Sequence, residues 1–357
     1  MKKPLLLVIT AALVWLYGCN GVPELGEPLY PPSGEPTPSE DVEESLSTTS
    51  LYIADPFIFY ENGKYYAYGT GGYGQGDGNN GINVYVSEDL VHFYFKGVAL
   101  RKDNSYAPST PPINWSGFWA PEVYKVGNMY YMYYTRAWGN DSGVYERMCA
   151  ATAPTPLGPF VNPEHKPMTT ELFNIDNNLF IDDDGTAYMY YSHESTIRVC
   201  KLSPDLLSMD EASITECLVP DNDESSWELQ DPYYPASRIV EAPEVIKHKG
   251  VYYMAYSAHP STSPLYGVSY ATASNPMGPW TKAGYPIIQL LGGLYGTGHN
   301  CFFTDAEGNL KTAFHALFSE TETEGNLRSM YITNASFSED GKLQVDENYT
   351  KALLVAE

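Results

Sequence analysis

The chain has 357 residues, with 44 acidic side chains against 20 basic ones, 14% aromatic residues and 31 Tyr. A formal charge of −24 repels nucleic acid and anionic lipid, which leaves neutral molecules or cations as partners. The length exceeds the prior of about 150 residues for one domain, but closed all-β folds run longer as one unit. Half-buried strands use Tyr because its ring covers apolar surface while its hydroxyl stays wet.

At the N-terminus, Met1-Lys2-Lys3 supplies positive charge and Leu5 to Leu16 an apolar run too short to span a bilayer, the pattern of an export signal. It ends in Leu16-Tyr17-Gly18-Cys19, which resembles the lipobox of bacterial lipoproteins. The resemblance implies that residues 1–18 are removed, that Cys19 is acylated, and that the protein is anchored on the periplasmic or cell-surface face of a bacterial membrane. Residues 19–50 are rich in Pro, Ser, Gly and Glu and lack Lys and Arg, so they read as a disordered tether ahead of one folded domain, residues 51–357. Cys149, Cys200, Cys217 and Cys301 could pair in three ways in an oxidising compartment, but their strand-like contexts read as buried free thiols.

From Leu51 one pattern recurs: a polar residue, usually Pro, a short apolar run, a turn with Gly, and a Tyr-rich strand ending in Gly, Thr or Ser. It runs from Asp55-Pro56 to Gly69-Thr70, from Trp119-Ala120-Pro121 to Thr135, from Asp176-Asn177 to Ser192, and from Glu241-Ala242-Pro243 to Ser257. A weaker fifth copy runs from His299-Asn300 to His315. Judged by Pro56, Pro121, Asn177, Pro243 and His299, the steps are 65, 56, 66 and 56 residues, each long enough for a four-stranded antiparallel blade with its loops. Two third strands lead into nearly the same text, Ala150 to Phe160 and Tyr270 to Trp280. No long amphipathic helix competes, so the expected fold is all-β, a five-bladed β-propeller.

The innermost strand of each blade lines the central channel, so the residues opening these strands converge on one end of it. At this place stand Asp55, Trp119-Ala120, Asp176, Glu241-Ala242 and Gly298-His299. The frame repeats while one position diverges, which points to function rather than to packing. Three carboxylates in one funnel repel one another and raise at least one pKa, the condition a general acid needs at neutral pH. Glycoside hydrolysis uses such a set, an acid for the leaving oxygen and a base for water, and Trp119 would wall the sugar ring.

These motifs resemble glycoside hydrolase family 43, five-bladed propellers acting on arabinose- and xylose-containing plant polysaccharides, over Leu51 to about Ile332. The resemblance implies that Asp55 of Ala54-Asp55-Pro56 is the general base and that Glu241 of Glu241-Ala242-Pro243 is the general acid. It implies that Asp176 of Ile175-Asp176 tunes and orients that acid, and that His299 of Gly298-His299 borders a calcium ion held largely by water in the channel. It also implies inversion of the anomeric centre. Asn177 and Asn178 depart from the family's usual Pro-Ser or Pro-Asn, so Asn177 is expected to alter a sugar contact, and Arg328 resembles an Arg that some members aim into the sugar pocket. Glu244 reads as structural, because Glu122 occupies its place in the second repeat, and Asp182 to Gly185 reads as a solvated turn. Trp115, Phe118, Trp138 and Trp227 are divided between groove and core.

The expected activity is removal of terminal α-L-arabinofuranosyl residues from arabinan, arabinoxylan or arabinogalactan, with the inserts 71–81, 104–116 and 221–234 walling a small pocket. The alternatives are a β-xylosidase, an endo-arabinanase, and a carbohydrate-binding surface lipoprotein without turnover.

Overall fold

A computed structural model describes residues 46–70, 81–108, 115–317 and 327–356. Cys19, the export signal and most of the tether lie outside the described residues, as do most of the insert 71–81 and residues 109–114.

Strand β1 (Thr48–Ser50) precedes the first blade, β2 (Ala54–Glu61), β3 (Lys64–Thr70), β4 (Gly81–Ser87) and β5 (His92–Arg101). The second is β6 (Trp115–Val126), β7 (Met129–Asn140) and β8 (Gly143–Ala153); the third is β9 (Asn174–Ile181), β10 (Ala187–His193), β11 (Thr196–Leu202) and β12 (Met209–Leu218). The fourth is β13 (Val240–His248), β14 (Val251–Ala258), β15 (Gly267–Ala273) and β16 (Thr281–Lys282). The fifth is β17 (Tyr295–Thr304), β18 (Leu310–Leu317), β19 (Ser329–Phe337) and β20 (Leu343–Lys351), followed by β21 (Leu353–Val355). The five sheets form the expected propeller.

Two details differ from the sequence reading. The second blade has three strands, with Val161 bridging Thr152 where a fourth would lie and Phe160 bridging Leu100 of the first blade. The folded unit starts at Thr48 rather than at residue 51, because β1 pairs with β21, which in turn lies parallel to β5. The chain's end thus closes the ring through the first blade. Cys149, Cys200, Cys217 and Cys301 are all free, and all but Cys217 are buried.

The feature that positions the site repeats in all five blades. Asp55, Ala120, Asp176, Ala242 and His299 each have a left-handed φ, 49°, 42°, 57°, 54° and 47°. Each lies where the pairing of the first and second strands shifts register. A left-handed residue with a side chain costs on the order of 1–3 kcal/mol and persists only where its surroundings hold it. Here the hold is a hydrogen bond from its N–H to the second strand of the preceding blade. Ala120 donates to Thr70 Oγ1 (2.9 Å), Asp176 to Thr135 Oγ1 (3.2 Å), Ala242 to Ser192 Oγ (3.0 Å) and His299 to Ser257 Oγ (2.9 Å). Asp55 completes the circuit by donating to His315 Nδ1 (3.1 Å). The matching residue of the fifth repeat is therefore Asn300, one place beyond His299, against Pro56, Pro121, Asn177 and Pro243.

Two residues further along, a second set binds neighbouring blades. Asn178 donates to Glu122 (3.3 Å) and to Glu244, its Oδ1 accepts from Val245 N–H (3.0 Å), and Glu244 Oε1 accepts from Phe302 N–H (3.0 Å). Burial pushes the carboxyls of Glu122 and Glu244 up, the latter to about 8. Glu244 thus spans blades rather than facing the site.

Thr135 is fully buried, so Thr135→Val leaves the Asp176 N–H without an acceptor. A stranded buried donor costs about 1–3 kcal/mol. Thermal unfolding of Thr135→Val is expected to begin several degrees below that of the wild type, while Thr135→Ser stays close to it.

Candidate active site

Asp55 takes the left-handed position of the first blade, with its carboxylate beside the Arg328 guanidinium and two imidazoles. Arg328 Nη1 lies 3.1 Å from Oδ1, and His299 Nδ1 and His315 Nδ1 are each 3.3 Å away. Thr70 donates its hydroxyl to Oδ2. Burial alone would raise this carboxyl, but Arg328, His299, His315 and the Thr70 hydrogen bond outweigh it and hold the pKa far below the usual carboxylate range. Asp55 is therefore ionised whenever the protein is folded near neutral pH. The side chains of Arg328 and Asp55 are only 17% and 11% exposed, so this is an enclosed pair of the funnel and not a surface ion pair.

Asp176 and Glu241 behave in the opposite way. Burial pushes Asp176 up to about 7; His299 and the Ser192 hydroxyl pull it down, Glu241 and Asp55 push it up. Burial also pushes Glu241 up to about 7, with a Tyr266 hydrogen bond and Arg328 opposing and Asp55 and Glu146 reinforcing. Asp176 Oδ2 accepts from the Ala242 N–H (3.2 Å) and from Ser192 Oγ (3.3 Å). It thereby grips the residue next to Glu241 and fixes where that acid emerges. Tyr266 donates to Glu241 Oε1 (2.9 Å).

Trp119, one residue before Ala120, is half-buried. Asn177, expected to meet the sugar, is fully buried with neither amide atom hydrogen-bonded. Its side chain is enclosed at the bulge that presents Asp176. Phe118 and Trp138 are core residues, Trp138 stacking on Tyr145, and half-buried Trp227 packs on Tyr256 and His259. The side chain of Trp115 lies outside the described residues. Asp182 is tied to the fourth blade by Lys247 Nζ (2.6 Å) and the Tyr252 hydroxyl (2.6 Å), which accounts for it without calcium.

Calcium takes six to eight oxygen ligands. His299 offers a nitrogen turned towards Asp55, and among the described residues no three His, Cys, Asp or Glu form a metal-holding group. The described residues supply no cage, and an ion beside His299 would be held mostly through water.

The sequence reading missed His315, Thr70, Ser192 and Tyr266. The strand-end Thr and Ser were visible as a pattern, but their role as acceptors for the next blade needs the ring closed. Glu146, raised to about 7 by burial, comes near Glu241 from the edge strand of the second blade and carries no motif.

The funnel thus combines a carboxyl held ionised, Asp55 on the first blade, with one whose pKa burial raises, Glu241 on the fourth. Comparison with known proteins agrees. The family model described as "Glycosyl hydrolases family 43" matches residues 48–343. A xylosidase/arabinosidase of Bacteroides ovatus is 27% identical over 82% of the chain and 94% of its own length. An arabinoxylan arabinofuranohydrolase of Bacillus subtilis is 26% identical over 83% of the chain and 63% of its length. Among solved structures, an endo-1,4-beta-xylanase from Bacteroides thetaiotaomicron is 35% identical, with a TM-score of 0.74 over 87% of the chain and all of that structure.

Proposed function

Because the chain belongs to glycosyl hydrolase family 43 and is a glycosidase, we propose that it inverts the anomeric centre while removing terminal α-L-arabinofuranosyl residues from a plant polysaccharide. The observation that carries the mechanism is the split between two buried carboxyls of one funnel. Asp55 is held ionised, and Glu241 keeps its proton to about pH 7. Asp55 takes a proton from water as the water oxygen bonds to the anomeric carbon, and Glu241 gives its proton to the departing glycosidic oxygen. An inverting pair stands about 6.5–9.5 Å apart to admit that water. Asp176 holds the Glu241 segment, Arg328 and His299 fix Asp55, and Trp119 walls the sugar.

Arabinofuranose as the sugar rests on the names of the Bacteroides ovatus and Bacillus subtilis relatives. The first of these names, with that of the xylanase structure, favours a second reading, β-xyloside hydrolysis. Parallel assays on aryl α-L-arabinofuranoside, aryl β-D-xyloside and linear arabinan separate them. Release from the arabinoside is expected; release from the xyloside alone would move the assignment to xylosidase, and mid-chain cuts in arabinan to an endo enzyme. Retention on arabinan without release by either aryl substrate would make the protein a binder.

A hydrated calcium ion beside His299 would add positive charge next to the carboxylates and favour their ionised forms. Chelator treatment is expected to lower kcat, with recovery on adding calcium; an unchanged rate means that His299 works without metal. Lipid attachment at Cys19 is the reading of the N-terminus, and Cys19→Ala is expected to release the protein from the membrane fraction.

A further inference from the structure

Tyr266 lies just before β15, on a turn closed by its own N–H to the Ser263 carbonyl (3.1 Å), and is 1% exposed. Three contacts fix its ring and hydroxyl. The hydroxyl donates to Glu241 Oε1 at 2.9 Å. The ring lies parallel to His315, with centroids 5.6 Å apart and planes 9° apart. Its edge presses on the backbone of Gly298, where an added Cβ would stand 2.2 Å from both Cδ1 and Cε1 of the ring. Gly298 has an ordinary φ, so glycine is required there by the Tyr266 ring and not by backbone conformation. The Gly298-His299 pair then serves both halves of the reaction, Gly298 by admitting Tyr266 to Glu241 and His299 by reaching Asp55.

We infer that Tyr266 is a positioning residue for the general acid: its hydroxyl occupies Glu241 Oε1, so the transferable proton resides on Oε2. This inference rests on the assignment of Glu241 as the acid. A phenol carries one hydrogen, and when it donates to Oε1 that oxygen is the carbonyl-like one of the protonated carboxyl. The Tyr266 hydroxyl stays protonated, because burial and the nearby Glu241 and Asp176 push its pKa well above the usual phenol value. A hydrogen bond donated to a carboxyl also favours its ionised form, so Tyr266 restrains the rise that burial imposes on Glu241.

The test is Tyr266→Phe, which keeps the ring between its neighbours and removes only the hydroxyl. On arabino-oligosaccharides or their xylo counterparts, whose leaving group needs a proton, kcat is expected to fall about tenfold with KM little changed. The alkaline limb of kcat/KM is expected to move up by about one pH unit, since a donor to the charged form is lost. On an aryl glycoside with a strongly acidic phenol as leaving group, the same variant should match the wild type. Gly298→Ala, which drives a methyl group into the ring, should reproduce the pattern. An unmoved alkaline limb, or equal losses on both substrate types, overturns the inference. Glu241→Gln run beside it tells the two readings apart. If that variant is impaired on oligosaccharides alone while Tyr266→Phe is normal, only the role of Tyr266 fails; if it is impaired on neither, the acid assignment fails and takes this inference with it.

Discussion

Glu241→Gln is expected to lower kcat on arabino- or xylo-oligosaccharides by at least about 100-fold, the low end of what a positioned general acid contributes. The amide keeps the size of the side chain and the means to meet Tyr266, but has no proton to give. The loss should shrink with the acidity of the leaving group, because an acidic phenol departs as its anion without help. In the wild type the acid must be protonated, so kcat/KM is expected to fall as pH rises through about 7, where burial has placed the pKa of Glu241. Asp176 is pushed to about the same value, by burial first and by Glu241 and Asp55 in addition. The alkaline limb therefore belongs to the pair, with the Glu241 proton the one that reaches the substrate. A limb near pH 4.5, the range of an ordinary Glu, would mean that the funnel does not hold the proton as described.

Asp55→Asn is expected to be at least as damaging, with kcat lowered by about 10²-fold or more for every leaving group, because activation of water is needed whatever departs. This independence from the leaving group separates base from acid in one set of assays. The substitution also strands charge: Arg328, 3.1 Å away, loses the carboxylate it pairs with. Truncation to Asp55→Gly, with azide supplied as an anion that needs no deprotonation, should restore part of the rate as glycosyl azide. Failure of azide to rescue a folded variant, together with a loss confined to poor leaving groups, would place Asp55 outside the role of base.

The sequence carried the architecture because the fold repeats: a Pro or Asn followed by an apolar run and a second strand, Tyr-rich in four copies, can be counted five times, and the divergent residues at one register announce a site. Asp55, Asp176 and Glu241 were legible for that reason. The local backbone was not, since the left-handed residues are Asp, Ala and His rather than Gly, and Ala120 or Ala242 gives no hint of φ > 0 on its own. Nor was the full burial of Asn177, the residue after Asp176. His315 and Tyr266 were missed because their importance lies in contacts across blades. The Asp55 N–H that His315 accepts is 260 residues away, and the carboxylate that Tyr266 holds belongs to a strand whose motif looks complete without it. Gly298 was the available signal, a glycine at an inner strand where backbone conformation does not demand one.

The most direct test of an ionised Asp55 facing a protonated Glu241 is the configuration of the sugar at the moment of release, followed by proton NMR before mutarotation. The account predicts that an α-L-arabinofuranoside yields β-L-arabinofuranose first, or a β-D-xyloside yields α-D-xylose. First appearance of the sugar with its original configuration would mean a covalent glycosyl intermediate, and would contradict the assignment of Asp55 as a base acting through water.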